Sequence, residues 1–562
     1  MTQKKLMFII LICLLSSFIV LSGCSNDSPS SLNETSSLKG AEKYEKEVKN
    51  KNKQLDLKPL ELTSYSDEIG VTLKAPKYKK FAVNGQVVVE ATIKNSAQLK
   101  SDYAWIKVSA NEDGPAGKEL EYYAPIKNGK FKQKIHFFNG EGEYKIKVQL
   151  PSTEQKDYYY DIATFEVINV HPEIIRDISY TSFGQDAKLD INLESSFLKA
   201  DGVFSLTGKS GKLTDADSIM IKLKKGNETW KHIIPLKNGQ FAFDIPLLYG
   251  NGMHELEVYV PEGNRANYYQ MATTILINNE SSKKLKPITF ADTYLQRGIK
   301  LDYPKFGGAE ADTSFKIKGS IDPKAKFAGQ TTHLFITIKK GKDEALEVIP
   351  MENFAFDDSF LLRFGPGTYE IILSVPEITT VKSNSFNYFG VAEFEVKSNT
   401  AKDLRDILPS RGVESDSPQI KNLAGEITSG KSSDREKAKA VYEYVAKNIA
   451  YDVDKLENMD FEWDDSALKT LRLKQGVCQD YSYLAIALLR ASGIEARFIE
   501  GYAGERHAWV EVKVNGGWLT MDPTWGSGYI RNDRFVADFN ESYFDPNMQE
   551  FNKTHSRIGV AY

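Results

Sequence analysis

Three residue types that together can perform acyl transfer occur in order near the end of the chain. Cys478 is followed by His507 after 29 residues and by Asp522 after a further 15. A thiol that attacks a carbonyl needs a base to take its proton, and the base needs a third group to orient it. The order and spacing therefore predict Cys478 as a nucleophile, His507 as its base and Asp522 as the orienting group.

The sequence around Cys478 predicts a helix that begins at or near this residue and stops at Gly493. The positive end of the helix dipole favours a thiolate in the first turn. The carboxylate of Asp480 in the same turn opposes this effect, so we expect His507 to supply much of the stabilisation. The apolar residues of this segment fall on one helical stripe, formed by Tyr481, Leu484, Ala485, Leu488 and Leu489.

Each of the three residues also has an ordinary explanation when it is considered alone. A single free cysteine is most often a small buried hydrophobe. The histidine could be a surface residue of a strand, and the aspartate could be a turn former before Pro523. The three residues in this order, each with the local structure that the chemistry needs, favour the catalytic interpretation over three separate coincidences.

A β-hairpin is predicted to bring the histidine and the aspartate together. Residues 507–514 alternate between apolar and polar types, which is typical of a half-buried strand. The Asn515-Gly516 pair that follows is typical of a two-residue type I′ turn, because both positions need a positive φ. A turn of this kind pairs Val514 with Gly517.

Counting back along this register places His507 and Asp522 on one face of the sheet. They are diagonal neighbours, at about 7–8 Å between their backbones. Side chains can close that gap with a hydrogen bond. We also expect the helix that carries Cys478 to pack on this same face.

Five segments near these residues resemble the bacterial transglutaminase-like family, which shares a papain-like fold. They are LPSRGVES (408–415), KNIAYD (447–452), GVCQDYSYL (476–484), HAWVEV (507–512) and MDPTWG (521–526). The resemblance implies an α+β domain with Cys478 as nucleophile, His507 as base and Asp522 as orienting group. The donors that would stabilise the oxyanion are open, with Tyr451 and the backbone N–H of Cys478 as candidates.

The family does not share one reaction, so the resemblance leaves the acyl acceptor open. Water would give a peptidase or a deamidase, and a lysine amine would give an isopeptide cross-link. Our first hypothesis is thiol-dependent acyl transfer on protein or peptidoglycan peptide amides, with no cofactor. The alternative is a non-catalytic surface protein for binding or adhesion.

The chain before residue 400 repeats itself. PIKNGKF from Pro125 returns as PLKNGQF from Pro235 and, more weakly, as PMENF from Pro350, at periods of 110 and 115 residues. Short alternating strands in units of this size predict immunoglobulin-like sandwiches. We therefore expect three tandem all-β sandwiches followed by the α+β domain. The predicted boundaries are 61–170, 171–280, 281–400 and 401–562.

The first 60 residues are predicted to anchor the protein and to hold it away from the membrane. Residues 1–24 read as a signal peptide, with an apolar run shorter than the ~20 residues of a spanning helix. Leu-Ser-Gly-Cys, ending at Cys24, resembles the lipobox of bacterial lipoproteins, which implies lipid on Cys24. We expect a lipid-anchored protein facing outside, with a flexible tether over residues 25–60. An uncleaved membrane anchor is the alternative.

Charge, cysteine content and ligand spacing bear on nucleic-acid binding, on the number of free thiols and on metal binding. The 562 residues contain 72 Lys and Arg against 76 Asp and Glu, a net charge of −4 that does not suggest a nucleic-acid partner. The three cysteines are Cys13, Cys24 and Cys478. Only Cys478 would remain as a free thiol after processing and lipidation. No metal site is predicted, because the acidic segment 452–465 lacks the ligand spacing of an EF-hand and reads as a solvated loop.

Overall fold

The computed structural model describes residues 30–263, 265, 268–378 and 385–562, with side chains from residue 42 onward. The predicted signal peptide and Cys24 lie outside the described residues. The described chain divides between Ser179 and Tyr180 into two compact units. Within the described residues, no helix combines the length and the apolar character needed to cross a membrane.

The first unit contains a β-sandwich built from strands that alternate between buried and exposed residues. Tyr144, Ile146, Val148 and Leu150 are buried on one side of their strand, as the alternation predicted. One sheet contains, in spatial order, Val71–Ala75, Gln86–Ile93 and Lys130–His136. The other contains Lys80–Val83, Tyr159–Asn169, Gly142–Pro151, Tyr103–Gly114 and Gly117–Pro125.

The segment predicted as a flexible tether is largely a helix, so the prediction for residues 25–60 was wrong in this part. The helix spans Ser30–Gln54, and its C-terminal end contacts the first sandwich. The side chain of Asn52 accepts a hydrogen bond from the N–H of Ala82 at 2.7 Å and donates to its carbonyl at 3.0 Å. The Lys- and Glu-rich composition that suggested a solvated tether also consists of good helix formers.

The second sandwich repeats the strand order of the first. Its larger sheet contains, in spatial order, Phe197–Ala200, Tyr269–Asn279, Gly252–Pro261, Ser218–Lys225 and Glu228–Pro235. The smaller sheet contains Gln240–Pro246, Val203–Ser210 and Leu189–Ile191. In both sandwiches a short edge strand runs parallel to its neighbour, while the other pairs are antiparallel.

The third sandwich has the same arrangement with one additional strand. Its larger sheet contains Thr289–Phe290, Tyr388–Ser398, Gly367–Pro376, His333–Lys340 and Asp343–Pro350, with Ala309–Ala311 also paired to Tyr388–Ser398. The smaller sheet contains Ile299–Tyr303, Ser314–Ile321 and Ala355–Leu361. Each sandwich is preceded by one short helix: Ser64–Glu68, Ser182–Asp186 and Asp292–Gln296. Single 3₁₀ turns lie at Ser96–Gln98 and Ala328–Gln330.

The repeated motif around Pro125 and Pro235 forms a tight turn in each sandwich. Asn128 and Gly129 both have positive φ, at 51° and 70°, and Asn238 and Gly239 match them at 52° and 68°. Two consecutive positive φ values define a type I′ turn, which Asn-Gly adopts with least strain. The repeat in the sequence is therefore a repeat of one hairpin.

The described residues after 400 form an α+β domain, which confirms the predicted fold class of β-sandwiches followed by this domain. Its main sheet contains, in spatial order, Gly517–Met521, Glu505–Val514, Ala496–Ala503 and Ser556–Ala561. Two smaller sheets pair Ala450–Tyr451 with Gln475–Gly476, and Gly528–Arg531 with Arg534–Ala537. The helices are Pro418–Thr428, Asp434–Asn448, Val453–Glu457, Ala467–Leu473, Cys478–Ala491 and Met548–Phe551, with a 3₁₀ turn at Glu541–Tyr543.

The helix Cys478–Ala491, called here the cysteine helix, is the centre of this domain. All of its residues from Asp480 to Arg490 are buried. It packs on the strand Glu505–Val514, called here the histidine strand, through the face that carries Val510 and Val512. A helix buried on all sides in this way is held in place by its neighbours, so its first turn is rigidly positioned.

Candidate active site

The first turn of the cysteine helix is fixed by its own backbone contacts. Cys478 is the first helical residue, is half-buried and carries a free thiol. The Asp480 carboxylate accepts a hydrogen bond from the N–H of Val477 at 2.8 Å. A methyl group on Gly476 would collide with the Cβ of Asp480. A glycine two residues before the thiol is therefore a steric requirement of this turn.

A buried lysine neutralises the acidic residue beside the thiol. Lys455 Nζ lies 2.8 Å from Asp480 and 2.9 Å from Asp465, and both aspartates are almost fully buried. Burial raises the pKa of Asp480, and the charge of Lys455 opposes that shift. The sequence analysis expected the Asp480 carboxylate to oppose a thiolate, and the ion pair with Lys455 reduces that opposition. The acidic segment 452–465 is likewise not simply a solvated loop.

The hairpin that carries His507 has the predicted register. Val514 pairs with Gly517, and the turn residues Asn515 and Gly516 have φ values of 51° and 81°. Regular pairing continues back to Val510 with Met521 and ends there. Asp522 leaves the sheet at this point, and its N–H donates to the carbonyl of Tyr543 at 2.9 Å.

His507 and Asp522 are in direct contact. Nε2 of His507 lies 2.8 Å from Oδ2 of Asp522, whose side chain is fully buried. The other carboxylate oxygen accepts hydrogen bonds from the N–H groups of Thr524 and Trp525, at 2.9 and 3.0 Å. Burial alone would raise the pKa of Asp522, but the charge of His507 and these donors hold it well below its usual range.

The imidazole of His507 is held in its protonated form between two acidic groups. Burial lowers its pKa, but the Asp522 carboxylate and then the Cys478 side chain, each through charge and a hydrogen bond, outweigh that effect. Together they raise the pKa of His507 to about 10. Because Nε2 faces Asp522, the contact with Cys478 uses the other side of the ring. The structure thus brings all three predicted residues together.

One geometric expectation about this site was wrong. The cysteine helix does not pack on the His507 face of the sheet, because its core contacts are Val510 and Val512 on the opposite face. Cys478 still contacts His507, because the thiol lies in the first turn of the helix and His507 lies near the start of its strand. Contact between the two residues therefore does not require a shared face.

A second histidine, which the sequence analysis did not single out, also binds the buried carboxylate. Nε2 of His555 lies 3.1 Å from Oδ2 of Asp522, and its Nδ1 lies 2.8 Å from the hydroxyl of Thr554. The His555 side chain is fully buried. It stands just before the last strand, 33 residues beyond Asp522, and no motif or periodicity in the sequence marks it.

Aromatic rings enclose the two histidines and exclude water from the carboxylate. His555 stacks on Phe551, with ring centroids 3.8 Å apart, and its edge lies near Trp525 at 4.6 Å. Trp509 lies 5.5 Å from the same ring. In such a low-dielectric setting the hydrogen bonds to Asp522 are stronger than they would be in water.

The same three polar residues could in principle ligate a metal ion. His507, Asp522 and His555 each place one ligand atom within 4.8 Å of the others. Both Nε2 atoms lie at hydrogen-bond distance from the same carboxylate oxygen, as two N–H donors would. Two N–H···O hydrogen bonds to one carboxylate oxygen therefore account for these contacts.

Tyr451, the side chain considered as an oxyanion donor, lies close to the thiol. The segment Ala450–Tyr451 pairs with Gln475–Gly476, immediately before Val477 and Cys478. Burial, and after it the electrostatic effect of the nearby Cys478, raise the pKa of Tyr451 well above its usual value. Its hydroxyl therefore stays protonated and able to donate.

A cavity of about 520 Å³ opens at Cys478 and His507. Its wall carries apolar and aromatic side chains together with charged groups of both signs. Volumes in this range are typical of sites for small ligands and side chains. A substrate amide entering here would meet the thiol and the imidazole on the same wall.

Comparison with known proteins identifies the family of this domain. Residues 421–523 match the model of the transglutaminase-like superfamily. The chain is 29% identical over 143 residues to kyphoscoliosis peptidase of Mus musculus, covering 22% of this chain and 21% of that protein. It is 30% identical over 152 residues to the uncharacterized protein YebA of Bacillus subtilis strain 168, covering 23% and 19%.

The match thus spans about a fifth of the length of these curated relatives. A crystal structure from Cytophaga hutchinsonii, described as a candidate cysteine protease, is 18% identical with a TM-score of 0.21, covering 49% of this chain and 81% of that one. The family match covers both the cysteine helix and the histidine strand. The chain therefore carries, after its β-sandwiches, a transglutaminase-like domain that the family model matches over residues 421–523.

Proposed function

We propose that the C-terminal domain is a cysteine acyltransferase or hydrolase that acts on protein or peptidoglycan peptide amides. The observation that carries this proposal is the continuous chain of contacts from Asp522 through His507 to Cys478. A histidine held protonated beside a thiol favours the thiolate, which is the reactive nucleophile. The family of the domain supports the same chemistry.

The proposed reaction has two steps. The thiolate of Cys478 bonds to the amide carbonyl carbon, and His507 gives its proton to the leaving nitrogen as the C–N bond breaks. An amine departs and a thioester remains on Cys478. Water or a second amine then attacks the thioester, gives its proton to His507 and restores the thiolate.

The acyl acceptor decides between hydrolysis and cross-linking. The relative from Mus musculus is named a peptidase, which supports water as the acceptor. The superfamily name supports an amine. A mixture of glutamine-containing peptides and a lysine analogue, incubated with the protein and examined by mass spectrometry, separates the two. Loss of ammonia with gain of the amine indicates transfer. Loss of ammonia with gain of water indicates side-chain hydrolysis, and gain of water across two fragments indicates peptide-bond hydrolysis.

The reactivity of the thiol tests the proposal without knowledge of the substrate. Iodoacetamide should label Cys478 at pH 7 clearly faster than free cysteine, whose pKa of ~8.5 leaves little thiolate. His507→Ala should slow this labelling, and Cys478→Ala should abolish it. Labelling no faster than that of free cysteine, and unchanged by His507→Ala, would instead support the non-catalytic binding protein.

We further propose that the mature protein begins at a lipidated Cys24 and stays on the outer side of the cell membrane. The support is the sequence alone: a positive N-terminal region, an apolar run and the four-residue box that ends at Cys24. Two acyl chains on one cysteine give stable anchoring. Cys24→Ala should leave the protein unprocessed, and an unmodified Cys24 still joined to residues 1–23 in the wild type would contradict this proposal.

A further inference from the structure

The third sandwich forms part of the cavity that opens at the thiol. Phe386, Tyr388 and Leu346 of this sandwich line the same cavity as Cys478 and His507. The C-terminal domain contributes two further rings to the lining, Tyr483 and Phe498, which are tilted against each other with centroids 5.4 Å apart. The aromatic wall beside the thiol is thus built by two parts of the chain.

Buried polar contacts fix the third sandwich against the C-terminal domain. The fully buried guanidinium of Arg363 contacts the carboxylate of Glu347 and donates to the carbonyl of Pro409 at 2.8 Å. The N–H of Leu346 donates to the carbonyl of Tyr562 at 3.0 Å. These two hydrogen bonds join the C-terminal domain to the third sandwich, and the Glu347 carboxylate orders the guanidinium that makes one of them.

A comparison of the repeats shows that the cavity wall is particular to the third sandwich. Leu346 stands four residues before the strand-ending Pro350, where the first two sandwiches carry Glu121 and Lys231.

Phe386 shows the same change of character. It stands two residues before Tyr388, the first residue of an 11-residue strand. The equivalent positions in the first two sandwiches are Asp157 and Asn267. At both positions the first two sandwiches carry a polar residue, and the third sandwich, which lines the cavity at the thiol, carries an apolar one. Tyr388 has a tyrosine counterpart in each of the other two sandwiches, Tyr159 and Tyr269. Of these two aromatic residues, only Phe386 is therefore particular to the third sandwich.

Neighbouring side chains hold the two aromatic rings from the third sandwich in place. The guanidinium of Arg411 lies 5.1 Å from the ring of Phe386, in cation–π contact. Phe335, which is fully buried, lies 4.9 Å from the ring of Tyr388. Rings that are already ordered lose little conformational freedom when a ligand packs on them.

We infer that this aromatic wall binds a large apolar side chain of the acyl-donor peptide, close to the amide that Cys478 attacks. The inference rests on the proposed function and adds the substrate class to it. Acidic and basic groups both line the cavity, among them Glu500 and Arg506, so the charge of the lining does not select an acidic or a basic side chain. The third sandwich is then a specificity element as well as a spacer.

Peptidyl chloromethyl ketones test this inference because they alkylate the thiol directly and need no natural substrate. Three labels are compared, with phenylalanine at the last position, at the next-to-last position, or at neither, where glycine replaces it. Alkylation of Cys478 in the full chain is followed by mass spectrometry. We expect one phenylalanine label to react at least about tenfold faster than the glycine label, as a filled apolar pocket typically allows.

Variants of the aromatic wall test whether the preference for the phenylalanine label arises there. Phe386→Ala should reduce the ratio of the phenylalanine to the glycine rate to below about threefold, and Phe386→Leu should restore part of it. Phe389→Ala is the matched control: Phe389 lies on the same strand as Tyr388 but is 48% exposed and outside the cavity, so the ratio should stay unchanged.

The outcomes separate this inference from the proposed function. If iodoacetamide does not label Cys478 rapidly, the proposed function fails first. If iodoacetamide labels it rapidly but the three chloromethyl ketones react at equal rates, the inference alone is overturned. A phenylalanine preference that survives in a folded Phe386→Ala protein overturns it as well, because the pocket would then lie elsewhere.

Discussion

Asp522 and His555 are joined by a hydrogen bond of 3.1 Å between the carboxylate Oδ2 and the ring Nε2, at the same oxygen that binds His507. The carboxylate therefore has four donors: two imidazoles and two backbone N–H groups. A fully buried carboxylate needs such partners to remain ionised. We therefore expect His555 to affect the proposed reaction through Asp522, as a positioning residue.

His555→Ala should weaken both the fold and the proposed reaction. Leaving one lone pair of a buried acceptor unsatisfied costs about 1–3 kcal/mol of unfolding free energy. We expect kcat to fall about tenfold, equivalent to about 1.4 kcal/mol of lost positioning, with KM nearly unchanged, and His555→Gln to recover part of the loss. Steady-state kinetics and urea unfolding measure both effects.

The control for this variant is a histidine–aspartate contact in the first sandwich. His136 Nδ1 lies 2.6 Å from Asp177, and His136→Ala should leave kcat unchanged. An unaltered kcat in a well-folded His555→Ala protein would show that the second histidine does not position Asp522.

The protonation of His507 should depend on Asp522 in a definite direction. The pKa of His507 is raised from 6.5 to about 10, so the ion pair stabilises the fold fully below pH 6.5, and this contribution is lost as the pH rises through about 10. In Asp522→Asn the carboxylate charge is gone while burial and the contact with Cys478 remain, so the midpoint should fall well below 10.

Ring ¹⁵N chemical shifts of the histidines, followed against pH, measure this midpoint directly. The signal that disappears in His507→Gln is assigned to His507. Asp177→Asn removes the carboxylate beside His136 in the first sandwich and should leave the His507 midpoint near 10. A His507 midpoint that stays near 10 in Asp522→Asn would mean that the charge of Asp522 does not control the imidazole.

The parts of the site that sequence reasoning predicted correctly are encoded locally. Asn515-Gly516 fixes the hairpin register because few residues tolerate two consecutive positive φ values. The apolar stripe after Cys478 likewise predicts the helix that starts there. Both signals occupy adjacent residues, so they can be read without knowing the fold.

The parts that sequence reasoning missed depend on contacts between distant segments. Lys455 meets Asp480 across 25 residues, and His555 meets Asp522 across 33, with no periodic pattern at either end. Segment 30–54 was misjudged for a different reason, since composition alone does not distinguish a charged coil from a charged helix docked through Asn52. In each case tertiary contact decides the outcome.

Removing the buried lysine should destabilise the first turn of the cysteine helix. Lys455→Met leaves the buried carboxylates of Asp465 and Asp480 without the cation that lies within 3 Å of both. Removal of one partner from a buried charge pair typically costs 3–5 kcal/mol, and we expect a loss of about this size in urea unfolding. The double variant Lys455→Met/Asp480→Asn should recover part of it, because one uncompensated charge is gone.

An exposed ion pair supplies the comparison for this variant. Lys553 lies 2.6 Å from Glu550 with both side chains largely exposed, and Lys553→Met should change the unfolding free energy by at most about 0.5 kcal/mol. Equal effects of Lys455→Met and Lys553→Met would mean that the buried cluster does not hold the helix start.

The role of Tyr451 can be separated from thiol activation by comparing two reactions at the same sulfur. Attack on an amide carbonyl places a negative charge on oxygen, and a hydroxyl donor at that point stabilises the transition state. Alkylation by iodoacetamide displaces iodide at a saturated carbon and forms no oxyanion. A residue that serves only the oxyanion therefore affects the first reaction and not the second.

We expect Tyr451→Phe to lower kcat for amide turnover by about 10²-fold while the iodoacetamide rate stays unchanged. The raised pKa of Tyr451 keeps its hydroxyl protonated over the working pH range, so the loss should not vary with pH below 10. Tyr444→Phe is the control, because its hydroxyl contacts Lys474 at 3.1 Å at an exposed position. If Tyr451→Phe retains full turnover, the hydroxyl is not an oxyanion donor, and the backbone N–H of Cys478 is the donor to test next. If both reactions slow together, Tyr451 acts on the thiolate itself.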